Sequence, residues 1–272
     1  ACALNSEGEV FCQGSAASLV DDNVPTDTFI LLSSGAEHSC GINTSQETIC
    51  WGDDESGQST PPQTTFVDVS AGGNFSCGLT RDGGVECWGA NWAGQGSPPN
   101  GYFADISSGG VHTCGITTDG SVQCWGPDWS GQVSDAPNSG GFTQLSSGFY
   151  HSCGLKSDGS VICWGYDGYG QVSNTPISGN FTQLSLGYYH SCGLKSDGGV
   201  TCWGYDGQGQ VSNAPNSGSF TQLSSGEYHS CGLESDGSVS CWGLDNYGQS
   251  TPPSGSFTQL TSGNYHTCGW FL

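Results

Sequence analysis

Six histidines, His38, His112, His151, His190, His229 and His266, each stand two residues ahead of a cysteine, and Phe75 takes the same place before Cys77. Imidazole beside thiol is the raw material of a zinc site or of a nucleophile and its base. Each histidine is followed by Ser or Thr, which adds a hydroxyl nucleophile to the list. Neighbouring residues of a strand point to opposite faces, so the His and Ser of one copy cannot act as a pair. A zinc held by His151, Cys153 and Cys163 would need reduced thiols. A position repeated along the whole chain reports packing, and the histidines are expected to be structural.

The cysteines point to oxidising surroundings. There are 15 of them and no CxxC pattern, which reads as a disulfide framework rather than a metal site. The first of each pair falls at Cys2, Cys40, Cys77, Cys114, Cys153, Cys192 and Cys231, and the second lies ten residues on, at Cys12, Cys50, Cys87, Cys124, Cys163, Cys202 and Cys241. Cys268 has no mate at that spacing, which leaves an intermolecular bond, a free thiol, or an exchange with Cys2 or Cys12. The carboxylates Asp54, Asp128, Asp167, Asp206 and Asp245 occur one per copy and do not converge as a calcium site requires. No nucleophile elbow, phosphate loop or paired-carboxylate motif is present, so no cofactor, metal or enzymatic activity is expected.

The elements that hold these residues repeat with them. Measured between first cysteines and on from Cys231 to Cys268, the steps are 38, 37, 37, 39, 39, 39 and 37 residues. A period near 40 built of short strands and turns is that of propeller blades, and seven steps predict seven. In one copy, "FTQLSSG", "HSCGLK" and "SVICWG" read as three strands, and "QVS" as a short fourth. The "SDG" between the second and third closes a hairpin whose Gly takes the left-handed position. Pairing about that turn sets Lys156 against Ser160, Leu155 against Val161 and Cys153 against Cys163. Directly opposed residues lie close enough for a disulfide, and each such loop of eleven residues would contribute about 2.5–3 kcal/mol.

The prediction is an all-β chain, one domain over residues 1–272. It is a seven-bladed β-propeller of four-stranded blades with one cross-strand disulfide per blade. Eight segments read as second strands for seven slots, so the ring is expected to close by joining the N- and C-terminal strands in one blade.

Strand order then separates the loops. Those between strands one and two and after strand three leave on one face of the disc, opposite the "SDG" turns. The first face gathers Trp92, Trp129, Tyr150, Tyr166, Asp167, Tyr169, Tyr189, Tyr205, Tyr228, Tyr247 and Tyr265, the candidate binding residues. Tyr and Trp offer large contact area at low entropic cost, and with acids and almost no Lys they suit a protein partner or a sugar. The plainer reading of each Tyr is packing against its neighbouring loop, and of each Asp an Asx-type turn.

The net charge of −22 comes from a shortage of bases: 25 acids face only Arg81, Lys156 and Lys195. Such a surface repels phosphate backbones and anionic headgroups, so no nucleic acid and no membrane insertion are expected. No apolar run is long enough to span a bilayer. The chain has no Met and opens mid-repeat, as a processed or truncated secreted product would, and it offers trypsin-like proteases few sites. N-glycosylation sequons stand at Asn43, Asn74 and Asn180, about as many as chance supplies.

The series "SSGxxHSCGLxxDGxVxCWGxDxxGQ" resembles the regulator-of-chromosome-condensation repeat over essentially the whole chain. The runs "WGDDESGQ", "WGANWAGQ", "WGPDWSGQ", "WGYDGYGQ", "WGYDGQGQ" and "WGLDNYGQ" carry the resemblance. Among secreted members it looks most like the propeller inhibitor of β-lactamases. The resemblance implies a seven-bladed propeller of four-stranded blades, and in the inhibitor the corresponding loops carry the contacts. Two departures stand out: the Cys pairs, and "CQG" at Cys12–Gly14 in place of a Trp-containing run. Since the family spans unrelated roles, the fold leaves the role open. The expected function is a secreted, non-enzymatic interaction or structural building block, with self-association through its faces or Cys268 as one form of it. A carbohydrate-binding lectin and an inhibitor of an extracellular enzyme are the alternatives.

Overall fold

The computed structural model describes residues 2–4, 10–14, 25–252 and 255–271, with side chains described from residue 25 through residue 267. All regular elements among them are strands. The chain begins with β1 (Cys2–Leu4) and β2 (Val10–Gly14). Three-stranded sheets follow: β3 (Phe29–Ser34), β4 (His38–Asn43) and β5 (Thr48–Gly52); β6 (Phe66–Ala71), β7 (Phe75–Thr80) and β8 (Val85–Gly89); β9 (Phe103–Ser108), β10 (Thr113–Thr117) and β11 (Val122–Trp125). Next come β12 (Phe142–Ser147), β13 (His151–Lys156) and β14 (Val161–Gly165); β15 (Phe181–Leu186), β16 (His190–Lys195) and β17 (Val200–Gly204); β18 (Phe220–Ser225), β19 (His229–Glu234) and β20 (Val239–Gly243). Finally β21 (Phe257–Ser262) and β22 (His266–Phe271) join β2 and β1 in one four-stranded sheet, ordered β1-β2-β22-β21 with a further parallel pairing of β1 to β22. Both ends of the chain therefore share a sheet.

The hairpin register matches the spacing argument. Lys156 N donates to Ser160 O, Leu155 faces Val161 and Cys153 faces Cys163, while Gly159 closes the turn at φ 79°, a conformation that favours glycine. Six disulfides, Cys40–Cys50, Cys77–Cys87, Cys114–Cys124, Cys153–Cys163, Cys192–Cys202 and Cys231–Cys241, each join Cα atoms 4.0–4.1 Å apart. Each binds the second strand of a sheet to the third. The predicted Cys2–Cys12 bond and the state of Cys268 lie outside the described side chains. The backbone register nonetheless sets Cys12 opposite both Cys2 and Cys268.

The fourth strand is a correction. "QVS" and its counterparts form turns, and the six inner sheets have three strands. The reason is local competition for backbone groups. Asn174 N donates back to Gly170 O, and the amides of Val172 and Ser173 donate to the Asp167 carboxylate, which leaves none of those three donors for a ladder.

The core sits between consecutive sheets. Cys114, Ile116 and Val122 of one sheet pack on Phe142, Leu145 and Trp164 of the next, and the same set recurs at the other seams. First strands touch in succession from β3 to β21, and β21 touches β3. Trp88, Trp125, Trp164, Trp203 and Trp242 also donate across a seam, as Trp164 Nε1 does to Gln132 O at 3.2 Å and Trp203 Nε1 to Gln171 O at 3.0 Å.

The histidines lie in these seams, all fully buried. His38 Nε2 is 2.8 Å from Ser76 Oγ, and the pairs His112–Ser152, His151–Ser191, His190–Ser230 and His229–Thr267 lie at 2.6–2.9 Å. Ser76 Oγ itself donates to Gln58 O, so the His38 proton sits on Nε2 and is donated to Ser76. The Gly before each such loop belongs to the same joint. A Cβ on Gly148 would fall on Gly187 O and lie 2.7 Å from His151 Cε1. Phe75, where the imidazole is missing, is equally buried and joins the apolar seam with Phe103 and Trp125.

Burial makes these imidazoles hard to protonate. Desolvation takes His38, His112 and His190 down to about 4, and His151 and His229 to about 3. A histidine whose folded value is depressed leaves the unfolded chain holding more protons below about pH 6.5, so its contribution to stability is present above that pH and lost as pH falls toward 4. Each costs about 1.4 kcal/mol per pH unit in that window. Urea midpoints should be flat from pH 8 to 7 and fall steeply between 6.5 and 5. His151→Phe, copying Phe75, should lessen the slope by about one sixth.

A second seam contact carries its own expectation. Gln144 Nε2 donates to Leu184 O while Leu184 N donates to Gln144 Oε1, and Gln183 and Gln222 do the same one and two sheets on. Asp68 occupies this place earlier in the chain, and burial, then the nearby Asp105 carboxylate, raises it to about 6. A carboxyl raised above its unfolded value destabilises the fold as pH rises through that value. Asp68→Gln should therefore stabilise the protein by about 1–2 kcal/mol at pH 7, and by less at pH 5, in chemical denaturation.

Candidate functional site

The turn after each third strand is built by its own sequence. In "WGYDGYGQ" Asp167 accepts from Val172 N at 2.8 Å and Ser173 N at 2.9 Å, and Gln171 Oε1 accepts from Tyr169 N at 2.8 Å. Asp128, Asp206 and Asp245 hold their loops alike. Slight burial opposes ionisation of Asp167, but the amides of Ser173 and Val172 outweigh it and hold the carboxyl below its ordinary value. Asp167 thus braces the loop through Oδ1 and is itself exposed. What the brace presents outward is Tyr166 and Tyr169.

Those rings meet the rings of the loops between first and second strands. Trp92 stacks on Trp129 with centroids 5.7 Å apart, and Trp129 reaches Tyr150 at 6.3 Å. Tyr150 contacts Tyr166 and Tyr189; Tyr169 contacts Tyr189 at 5.3 Å and Tyr205 at 4.8 Å; Tyr205 reaches Tyr228. Both loop sets therefore share one face, as strand order requires. Trp92, Trp129, Tyr169 and Tyr247 are exposed, and the other rings are half-buried. Tyr247 and Tyr265 form a separate pair, 5.7 Å apart. Each tyrosine does pack on a neighbouring loop, and together they make a continuous arc.

Two rings of this arc escape the sequence reading. Phe149 and Tyr188 stack at 4.0 Å beside Tyr150 and Tyr189, one residue nearer the axis. With Ala36, Gly73, Gly110, Glu227 and Asn264 they line an open axial cavity of about 80 Å³. "SGxxH" treats their position as a spacer, and the signal that finds them is its variation among three otherwise near-identical copies: "GFYH", "GYYH" and "GEYH".

Glu227 is the buried acid of this face, 9 % exposed. Burial raises its carboxyl, against the hydroxyls of Tyr265 and Tyr228 that donate to it. Burial and the Glu227 charge push Tyr228 to about 12, while the hydrogen bond to Glu227, then burial, raises Tyr265. These hydroxyls stay protonated donors at any physiological pH. Arg81, Lys156 and Lys195 all stand at the hairpin turns of the opposite side.

The remaining candidates separate as follows. The His–Ser pairs bridge copies but are sealed from solvent. Among the described residues no group of three His, Cys, Asp or Glu side chains could hold a metal ion. Asn43 is buried, and its Nδ2 donates to Asp27 and Glu47, so its sequon is engaged in the folded chain; Asn74 and Asn180 are exposed. No helix among the described residues is long and apolar enough to cross a membrane.

Comparison with known proteins agrees with this architecture. The family model described as "Regulator of chromosome condensation (RCC1) repeat" matches residues 66–95, 103–131, 142–171, 181–210 and 220–249. A search of curated protein sequences finds no match. The CRINKLY WD40 ectodomain of the Arabidopsis thaliana receptor kinase ACR4 is 27% identical over 89% of this chain and 92% of its own, with a TM-score of 0.73. The entire ectodomain of the Physcomitrella patens receptor kinase CR4 is 28% identical over 89% of this chain and 69% of its own, at 0.76. Prp20p of Saccharomyces cerevisiae, 16% identical over 100% of this chain and 93% of its own, shares the fold at 0.80.

Replacing Asp167 by Ala should free the loop that carries Tyr166 and Tyr169. The expected readout is faster amide exchange at Val172 and Ser173 with a stability loss of about 1 kcal/mol, while exchange at the Cys153–Cys163 hairpin stays unchanged.

Proposed function

Because the chain belongs to the regulator of chromosome condensation (RCC1) repeat family, we propose that it is a non-enzymatic, extracellular β-propeller that docks a protein partner on its aromatic face. We read its sheets as seven blades closed by the sheet that both termini share. Supporting that ring, Ser34 N donates to Thr261 Oγ1 and Asn264 N to Ala36 O, across the last seam.

The observation that carries the interaction role is the unbroken arc from Trp92 to Tyr228, exposed at Trp92, Trp129 and Tyr169 and free of any basic residue. Aromatic anchors of this density are what protein interfaces use for their strongest contacts. Receptor ectodomains among the similar structures, and the binding of yeast RCC1 (Prp20) to Kap60, are in keeping with it. Six disulfides suit an oxidising compartment. A protein is favoured over a sugar because Trp92 and Trp129 stack on each other, each covering one ring face of the other. Self-association and enzyme inhibition are versions of the same docking, with a second copy or an enzyme as the partner.

The test is site-specific cross-linking in the secreted fraction of the native source. A photoreactive residue at Tyr169 should capture one discrete protein, while the same residue at Asp158, on the hairpin-turn side, should capture none. With that partner in hand, Trp129→Ala should weaken binding by about 2 kcal/mol. Equal labelling from both faces, or a glycan array ligand competing for Tyr169, would replace this reading.

A further inference from the structure

The axial cavity differs from the rest of the ring in ways that specify a ligand. Its wall is small on one side, where Ala36, Gly73 and Gly110 stand, and large on the other, where Phe149, Tyr188, Glu227 and Asn264 stand. Copies four to six are close to identical elsewhere, yet place Phe, Tyr and Glu here in turn. A position needed only for closure would be free to stay the same.

Along the backbone of six of the seven loops that line it, the hydrogen-bonding capacity left in the cavity is that of an acceptor. The amides of Ala36, Gly73, Gly110, Tyr188, Glu227 and Asn264 all donate to a carbonyl of the neighbouring loop. An anion would find those donors engaged. Carbonyl oxygens keep a second lone pair, and Glu227 adds a carboxylate. Among the described residues that carboxylate is buried with only the neutral hydroxyls of Tyr228 and Tyr265 as partners. A buried charge with no counter-ion is costly, and a cation arriving from outside would relieve the cost. None of the three basic side chains of the chain itself stands on this face. Aromatic rings beside a carboxylate favour ammonium and guanidinium groups.

We propose that the axial cavity is a subsite for a single lysine or arginine side chain of the docked protein, with Glu227 as its counter-ion and Phe149 and Tyr188 as its aromatic wall. This rests on the docking role proposed above and names the chemistry of the partner. The exposed arc supplies contact area, and the axis reads one cationic residue at its end.

The experiment titrates the intact protein with acetyl-Gly-Gly-Lys-Gly-Gly-amide, the Arg counterpart and the neutral Gln counterpart, in 0.15 M salt, following backbone amide NMR shifts. The Lys and Arg peptides should bind at least tenfold more tightly than the Gln peptide, with shifts centred on Tyr188, Glu227 and Asn264. Glu227→Gln should weaken them at least tenfold. Glu55→Gln, an exposed acid on the same face, removes the same charge and should change binding less than twofold. Tyr188→Leu should weaken them about threefold and serves if Glu227→Gln does not fold. Equal binding of charged and neutral peptides, or equal effects of the two Glu substitutions, would overturn the subsite. Peptides that fail while Tyr169 still captures a partner remove the subsite alone; peptides that bind when no partner is captured remove the docking role instead.

Discussion

A neutral imidazole passed from one sheet to a hydroxyl of the next, at five of the seams, is the joint on which this structure turns. His151 reaches Ser191, His190 reaches Ser230, and no water competes because both partners are sealed. The joint dictates its surroundings. The preceding Gly must lack a side chain to admit the ring, and the Trp of the third strand closes the seam from the other side through Gln171 O. Disulfides fasten second strand to third within a sheet, so the covalent links stiffen each blade and leave the joining of blades to polar contacts and apolar packing.

This division explains where variation is tolerated. Positions in the seam repeat because each is fitted to two neighbours at once. Positions on the loop face touch mostly other loops, and there the copies differ: Trp92, Trp129, Tyr169 and Tyr247 occupy equivalent turns of different sheets. The Asp and Gln of each turn fix its backbone without help from the rest of the molecule, so the exposed residue can change freely. Braced loops that carry a variable, aromatic, base-free face are a physical basis for recognition.

Much of this was readable from the chain. Cys153 and Cys163 could be paired because a three-residue turn fixes their register, and Tyr150 and Tyr166 could be set on one face because strand order has parity. "QVS" misled because Val between polar residues looks like a strand, whereas Asp167 and Gly170 claim the backbone groups a strand would use. The histidines read as structural, but their partners lie 38–40 residues away on another sheet, a distance that a within-copy argument cannot bridge. Phe149, Tyr188 and Glu227 were missed for the opposite reason. They fall at the unspecified position of the "SGxxH" loop, and only the packing of successive sheets brings them together.

The joint can be observed directly. Long-range proton–nitrogen correlation spectra of the imidazoles, followed from pH 8 to pH 5 on the folded protein, report the tautomer and charge of every histidine. The account expects His38, His112, His151, His190, His229 and His266 to remain neutral throughout, with His38 carrying its proton on Nε2. Imidazoles that titrate near pH 6.5 while the fold persists would contradict it.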